Sequence, residues 1–479
     1  MKKVFALVTM IIILNAEGQN LPNDFLSSDF HKKRRQLVRE KMPANTVAVL
    51  FANPVRNRAN DVDYVYHQDP NFYYLTGYKE PHALLLIFKD AQPGPEETYN
   101  EIMFVQPRNA MAEMWTGRRL GTKGVKDKLD FSQAFENTEF AEYAIDFSKF
   151  DKVLFYDFFN DVRDTSNPGD LFDLIAQFKE KAKYPTQTDL NIEASAQNLD
   201  TQSLDQIMKD LRGIKTPEEI DLLRKAVDIS CIGQAEVMKA IKPGMSEREV
   251  QGIHEFIFKK YQAEYEGYPS IVGEGNNGCI LHYIDNYKPK IKSDKMILMD
   301  LGAEYHGYTA DITRTIPIDG QFSAEEKAIY DLVFKAQDAA IQAARPGVNL
   351  NRDLNENIVK KIINNGLEKL GIIENTSSYH LFYPHGLGHH IGLDVHDKGN
   401  YEYLEEGMVV TIEPGIYIPE GAKCDEKWWG IAVRIEDCIL ITEDGNELLS
   451  DLAPRQSDEI EELMKQPSVL DAFDLPELD

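Results

Sequence analysis

Cysteine is scarce in this chain: four in 479 residues, at Cys231, Cys279, Cys424 and Cys438, with no CxxC pair among them. That spacing excludes zinc-finger and dithiol redox readings; the even number leaves disulfides open without establishing any. Basic charge is also in short supply, with 52 Lys and Arg against 79 Asp and Glu and a formal charge of −27. Nucleic acid is therefore a poor partner. A long apolar run is missing too: Val4–Leu14 follows a basic Met1-Lys-Lys start but is too short to span a bilayer. No tandem repeat is visible.

The short apolar run reads instead as the core of a secretory signal peptide over residues 1–18, with Ala16 and Gly18 as small residues before a cut at Gln19. The other reading is a buried amino-terminal helix or strand. No cysteine lies near the cut, so no lipid anchor is expected, nor any other stable membrane anchor. Loss of Lys2, Lys3 and Glu17 would leave the mature chain one unit more negative. The lysine-rich start and the style of the composition point to export, to a periplasm.

Against that background five residues stand out: Asp300, Asp311, His389, Glu413 and Glu436. Four carboxylates and one imidazole form the donor set that two hard or borderline divalent cations require, and paired cations suit hydrolysis. Met296–Ala303 and Tyr308–Ile316 read as strands joined by the short turn Glu304-Tyr-His-Gly307. If Ala303 closes against Tyr308, Asp300 faces Asp311 directly, and two facing carboxylates repel unless a cation lies between them. The bland alternative is two solvated aspartates on an exposed hairpin. The segment Gly430–Ile441 reads as one strand with Ile431, Val433, Ile435 and Ile439 on one face, Arg434 and Glu436 on the other. That pair could equally be a surface ion pair. Glu413 ends the strand Met408–Ile412 before Pro414-Gly415 turns the chain.

Histidines add to the set. His385, His389, His390 and His396 fall within twelve residues, out of eleven in the chain. Gly386, Gly388 and Gly392 argue against a helix there and for a tight extended loop where backbone approaches a ligand closely. Such density favours function over isolated core or surface histidines. The glycine-rich stretch upstream of Cys279 has no following Gly-Lys-Ser/Thr, so a phosphate loop is excluded.

These segments carry a resemblance. Met299–Gly302, Asp311–Arg314, His385–His389, Asp394–Asp397, Thr411–Tyr417 and Val433–Asp437 resemble the pita-bread metallopeptidases, and Ser270–Tyr283 resembles that family's substrate-histidine segment. Tyr64–Pro81 and Ala112–Gly121 look like the amino domain of aminopeptidase P more than that of prolidase. The rings Phe72-Tyr73-Tyr74 within it read as ordinary strand packing. The resemblance spans nearly the whole mature chain. It implies an α+β fold: a pita-bread catalytic domain of two related halves, with a smaller α/β amino-terminal domain.

Length allows two cores, and Thr216-Pro-Glu-Glu219 reads as a helix start near the junction. The amino-terminal domain is placed at 20–203, the catalytic domain at 204–467 and an acidic, frayed tail at 468–479. By resemblance, Asp311 and Glu436 bridge two ions, Asp300 completes one, and His389 with Glu413 the other. Manganese is the favoured ion, with cobalt, iron or zinc able to replace it, and four carboxylates roughly balance two such charges. Glu413 moves a proton, His282, His385 and His396 hydrogen-bond substrate, Arg434 orients Glu436, and Tyr417 forms a pocket wall or donates a hydrogen bond. The implied substrates are peptides with a free amino terminus and proline second; the implied assembly is a homodimer or homotetramer. Prolidase, methionine aminopeptidase (disfavoured by the long amino domain), a creatinase-like metal-independent amidinohydrolase and a non-catalytic binding module are the alternatives.

Overall fold

Apolar runs such as Val47–Leu50 and Leu84–Phe88 are too continuous for a sheet with a wet face, and they build strands covered on both sides. The computed structural model describes residues 24–94, 97–158, 167–185, 198–378 and 380–473. The signal-peptide reading of 1–18 lies outside those residues, as does the tail beyond Phe473.

The amino-terminal part is a mixed six-stranded sheet in the order Ala134–Glu136, Tyr99–Val105, Leu84–Gln92, Thr46–Phe51, Lys152–Leu154, Leu199–Asp200. Its alternation sends Val47, Val49, Leu84, Leu86, Ile102 and Phe104 into one apolar layer. Ala48, Leu50, Leu85, Ile87, Met103 and Val105 enter another, continuous with the core of the carboxy-terminal part. Phe72, Tyr73 and Tyr74 are buried, but in the helix Pro70–Thr76 rather than a strand. Local chemistry decides this: Asp69 accepts from the Phe72 amide, Pro70 opens the helix, and Gly77 ends it at φ 69°.

Thr216 does start a helix, Pro217–Ala240, with a capping box in which Glu219 returns a bond to the Thr216 amide. Strands Ile271–Glu274, Met296–Leu301 and Ile312–Pro317 form an antiparallel sheet against it. A second long helix, Ala324–Ala343, covers Val409–Ile412, Gly415–Ile418 and Ile431–Arg434 in the same manner.

The hairpin register differs from expectation by two residues. Tyr305 pairs with Tyr308 and Asp300 with Thr313, because the turn is the two residues His306-Gly307. Both have positive φ, 53° and 90°, the backbone that a tight hairpin with right-handed strand twist selects. An even slip preserves the face, so Asp311 still projects beside Asp300 while facing Gly302 along the chain. The single strand expected at Gly430–Ile441 is two: Ile431–Arg434 pairs with Gly415–Ile418, and Asp437–Ile441 pairs with Val409–Ile412. The break falls at Ile435-Glu436, where the Glu436 amide donates to Thr313 O (3.1 Å) instead of a ladder partner. The tail is not frayed over 468–473: Ser468 caps the turn Val469–Ala472, Glu236 accepts from Ser468 Oγ and Val469 N, and Lys242 pairs with Asp471. All four cysteines are free thiols.

His31 sits under the helix Pro70–Thr76 with Nδ1 donating to Tyr74 O at 2.9 Å, and burial pushes its pKa down to about 4. The unfolded chain binds a proton there near pH 6.5 and the folded chain does not, so stability present above that value is lost as pH falls toward 4. His31→Asn, which keeps a donor, should flatten urea-derived stability against pH across this window by up to about 1.4 kcal/mol per pH unit. An unchanged slope would contradict a neutral buried ring.

Candidate active site

Three breaks in strand pairing bring the singled-out residues together. Asp300 is the last but one residue of the strand Met296–Leu301, Asp311 precedes Ile312–Pro317, Glu413 follows Val409–Ile412, and Glu436 lies between Ile431–Arg434 and Asp437–Ile441. His389 comes from an extended loop pinned by its amide to Thr411 Oγ1 (3.1 Å) and by a bridge between His390 and Val410. They line one cavity of about 280 Å³ with His282, His385, His396, Arg434 and Leu281. Gly388 meets the close-approach expectation, since a Cβ there would lie 2.0 Å from Thr411 O; Gly392 does too, at 2.1 Å from Asp397 Oδ2. Gly386 faces open space.

Charge crowding defines the chemistry. Asp300, Asp311 and Glu436 are buried, at 8%, 5% and 2% exposure. Burial raises the Asp300 pKa, but the Arg434 guanidinium, 2.6 Å away, outweighs it and holds this carboxyl below its usual range. Asp311 has no such partner: burial, then the charge on Asp300, push it well above. Burial and the charge on Asp311 do the same to Glu436, and burial raises Glu413. Groups held above their ordinary range by neighbouring negative charge are short of positive charge, which divalent cations supply.

The donor atoms fit such ions. Asp311, His389 and Glu436 each offer a ligand atom within 4.8 Å of the others. His389 Nδ1 donates to His390 O at 3.0 Å, which leaves the Nε2 lone pair facing Asp311 at 3.4 Å and Glu413 at 3.6 Å. Tyr268 OH lies 2.6 Å from both Asp300 Oδ1 and Asp311 Oδ1, bridging the two aspartates.

Arg434 is buried and is no surface ion pair. Its hydrogen bonds go to Asp300 Oδ2, Thr313 Oγ1 and Tyr417 OH rather than to Glu436, which it reaches through Thr313. Tyr417 OH thus accepts from Arg434 (3.0 Å) and donates to His385 Nε2 (2.8 Å), whose Nδ1 donates to Gly386 O. Burial, then Arg434, pushes His385 down to about 4, so it is neutral near pH 7. His396 lies against His389 with ring centroids 4.2 Å apart, and burial, then His389, lowers its pKa. His282 stands exposed on a loop whose base is tied by Glu247: Glu274 N, Asn277 Nδ2, Tyr283 OH and Lys288 N all donate to that buried carboxylate.

Tyr268, Thr313, Glu247 and the anchor of the His396 loop went unnoticed in the sequence. Thr313 was findable, two residues from Asp311 on the same strand face. Asp397 is held by Arg212 and by Lys215 (3.0 Å), and Arg212 also donates to Asn71 Oδ1 at 2.7 Å in the amino-terminal part.

Residues 221–443 match the model of metallopeptidase family M24, and residues 31–155 match that of the aminopeptidase P amino-terminal domain. The chain is 37% identical to a Xaa-Pro aminopeptidase of Haemophilus influenzae, over 92% of this chain and 98% of that one. It is 35% identical to the Xaa-Pro aminopeptidase of Escherichia coli over the same shares. Among solved structures, Escherichia coli aminopeptidase P with the inhibitor Pro-Leu superposes at a TM-score of 0.80, with 34% identity over 92% of this chain and 98% of that one. A zinc-substituted form of that enzyme in complex with product gives the same TM-score at 33% identity, with the same coverage.

Gly388→Ala should cost about 2 kcal/mol or more in chemical denaturation, because the obstructing atom is backbone. Gly386→Ala should stay within about 0.5 kcal/mol. Equal effects would mean that the loop is not seated against Thr411 as described.

Proposed function

The chain belongs to metallopeptidase family M24, in its aminopeptidase P branch, and from that premise we propose how its carboxylate-lined cavity works. It is a metal-dependent exopeptidase that removes the amino-terminal residue preceding proline. Asp300, Asp311, His389, Glu413 and Glu436 are the residues that would hold two divalent ions. Manganese is the favoured ion because carboxylates dominate the set. When bound, such ions lower the pKa of water and polarise a carbonyl.

The residues do the rest. Glu413, half-buried and with a pKa raised by burial, moves a proton toward the departing proline nitrogen. His282, His385 and His396 ring the mouth and hydrogen-bond the substrate carbonyl, the developing oxyanion and the proline side. Arg434 fixes Asp300 and, through Tyr417, the ring of His385. An Xaa-Pro bond is a tertiary amide without N–H, so recognition rests on the proline ring and the free amino terminus.

Three further readings belong to the proposal. Export is supported by the basic start and apolar run of the first fourteen residues. A boundary near residue 203 is supported by the position of Leu199–Asp200 as the last strand of the amino-terminal sheet. A homodimer or homotetramer is supported by Met111, Met114 and Trp115, which stand 67%, 70% and 84% exposed on one short helix.

The observation that carries the mechanism is the single cavity shared by all five ligands and three histidines. Mass spectrometry of products from an Arg-Pro-Pro peptide should show loss of the first residue only, abolished by chelation, restored by Mn(II), and lost in Asp311→Asn. Cleavage confined to dipeptides would make the chain a prolidase; internal cuts or an active Asp311→Asn would overturn the mechanism.

A further inference from the structure

Three of the four ligand carboxylates, Asp311, Glu413 and Glu436, lie just outside strands, and the fourth, Asp300, is the last but one residue of its strand, so the ladder alone does not fix the backbone of the whole set. Something else must fix it, and two buried side chains do. On the helix Pro217–Ala240, Gln234 Nε2 donates to Met299 O (3.1 Å) and Ile312 O (2.9 Å). On the helix Ala324–Ala343, Gln337 Nε2 donates to Ile412 O (3.1 Å) and Ile435 O (3.0 Å), and reaches Asp437 Oδ2 at 2.8 Å. Met299 adjoins Asp300, Ile312 adjoins Asp311, Ile412 adjoins Glu413, and Ile435 adjoins Glu436. Each half of the catalytic part thus carries one amide that ties together the two chain segments bearing its pair of carboxylates.

Packing does not explain these residues. Both are fully buried, and Gln234 Oε1 has no hydrogen-bond partner. An unpaired buried amide oxygen costs stability that a leucine of similar size would not incur. What the amide offers in return is two hydrogens in a fixed plane, which can join two backbone carbonyls that, both being acceptors, cannot bond each other.

We propose that Gln234 and Gln337 are positioning residues for the divalent-ion site, each setting the spacing of one carboxylate pair through the backbone carbonyls beside it. The proposal rests on the reading that those carboxylates hold metal ions. Substitution by leucine removes the clamp and keeps the bulk, so the carboxylates should lose their common aim while the helices stay packed.

The test is calorimetric titration of chelator-stripped full-length protein with Mn(II), together with the visible spectrum of the Co(II)-loaded form. Gln234→Leu and Gln337→Leu should each weaken ion binding about tenfold, the lower end for groups that orient ligands, and should alter the Co(II) bands. Ser230→Ala is the control: it removes a different buried bond from the same helix, Ala303 N to Ser230 Oγ at 2.9 Å, and should lower the melting temperature with affinity and spectrum unchanged. Unchanged affinity and spectrum in folded glutamine variants would overturn the proposal, as would an equal loss in Ser230→Ala. If Gln337→Leu does not fold, because Asp437 loses a partner, Gln234→Leu decides alone. A parent protein that binds no divalent ion would instead sink the metal reading itself.

Discussion

Four acidic side chains converge in one buried cavity, and the cations near them are few. Arg434 reaches Asp300 alone with a direct hydrogen bond, which leaves Asp311 and Glu436 with raised pKa values and a shared need for positive charge. Like charges at this spacing repel strongly in a low-dielectric pocket. The surrounding structure acts as restraint against that repulsion. Tyr268 bridges two aspartates, Thr313 holds Glu436, and His389 is fixed in the tautomer that leaves Nε2 available. Divalent ions bound there would convert this conflict into attraction.

The parts of this that could be read from the residues are those governed by local periodicity. Strand alternation put Asp300 and Asp311 on one face, and that survived a register error because the error was even. The glycine content of Pro384–Gly392 correctly opposed a helix, and Thr216 with Glu219 correctly announced one. Failures came where tertiary demands override periodicity. A continuous apolar alternation across Gly430–Ile441 conceals a break, because Glu436 gives up its ladder partner to enter the pocket. Asp69 and Gly77 outweigh the β preference of Phe72-Tyr73-Tyr74. Tyr268, Glu247 and the two glutamines leave no local signature at all: each acts on residues dozens of positions away, and only folding makes them neighbours.

The two halves of the catalytic part solve the same problem with different side chains. One presents an aspartate near the end of a strand and another just before the neighbouring strand, the other two glutamates just past strand ends, and a long helix backs each pair.

Asp397 has a consequence for how such a protein can be taken apart. Its carboxylate is shared by Arg212 and Lys215, and Arg212 also donates to Asn71 on the helix Pro70–Thr76 of the amino-terminal part. Asp397, next to His396, is thus held by two cations of the catalytic part, one of which is itself tied to the amino-terminal part. A catalytic half expressed in isolation would keep the carboxylates and histidines of the cavity in its sequence yet lose the Asn71 contact that steadies Arg212. Modular exchange between relatives is constrained accordingly: a transplanted amino-terminal unit must bring an amide at the Asn71 position, or the graft inherits the chemistry without its alignment.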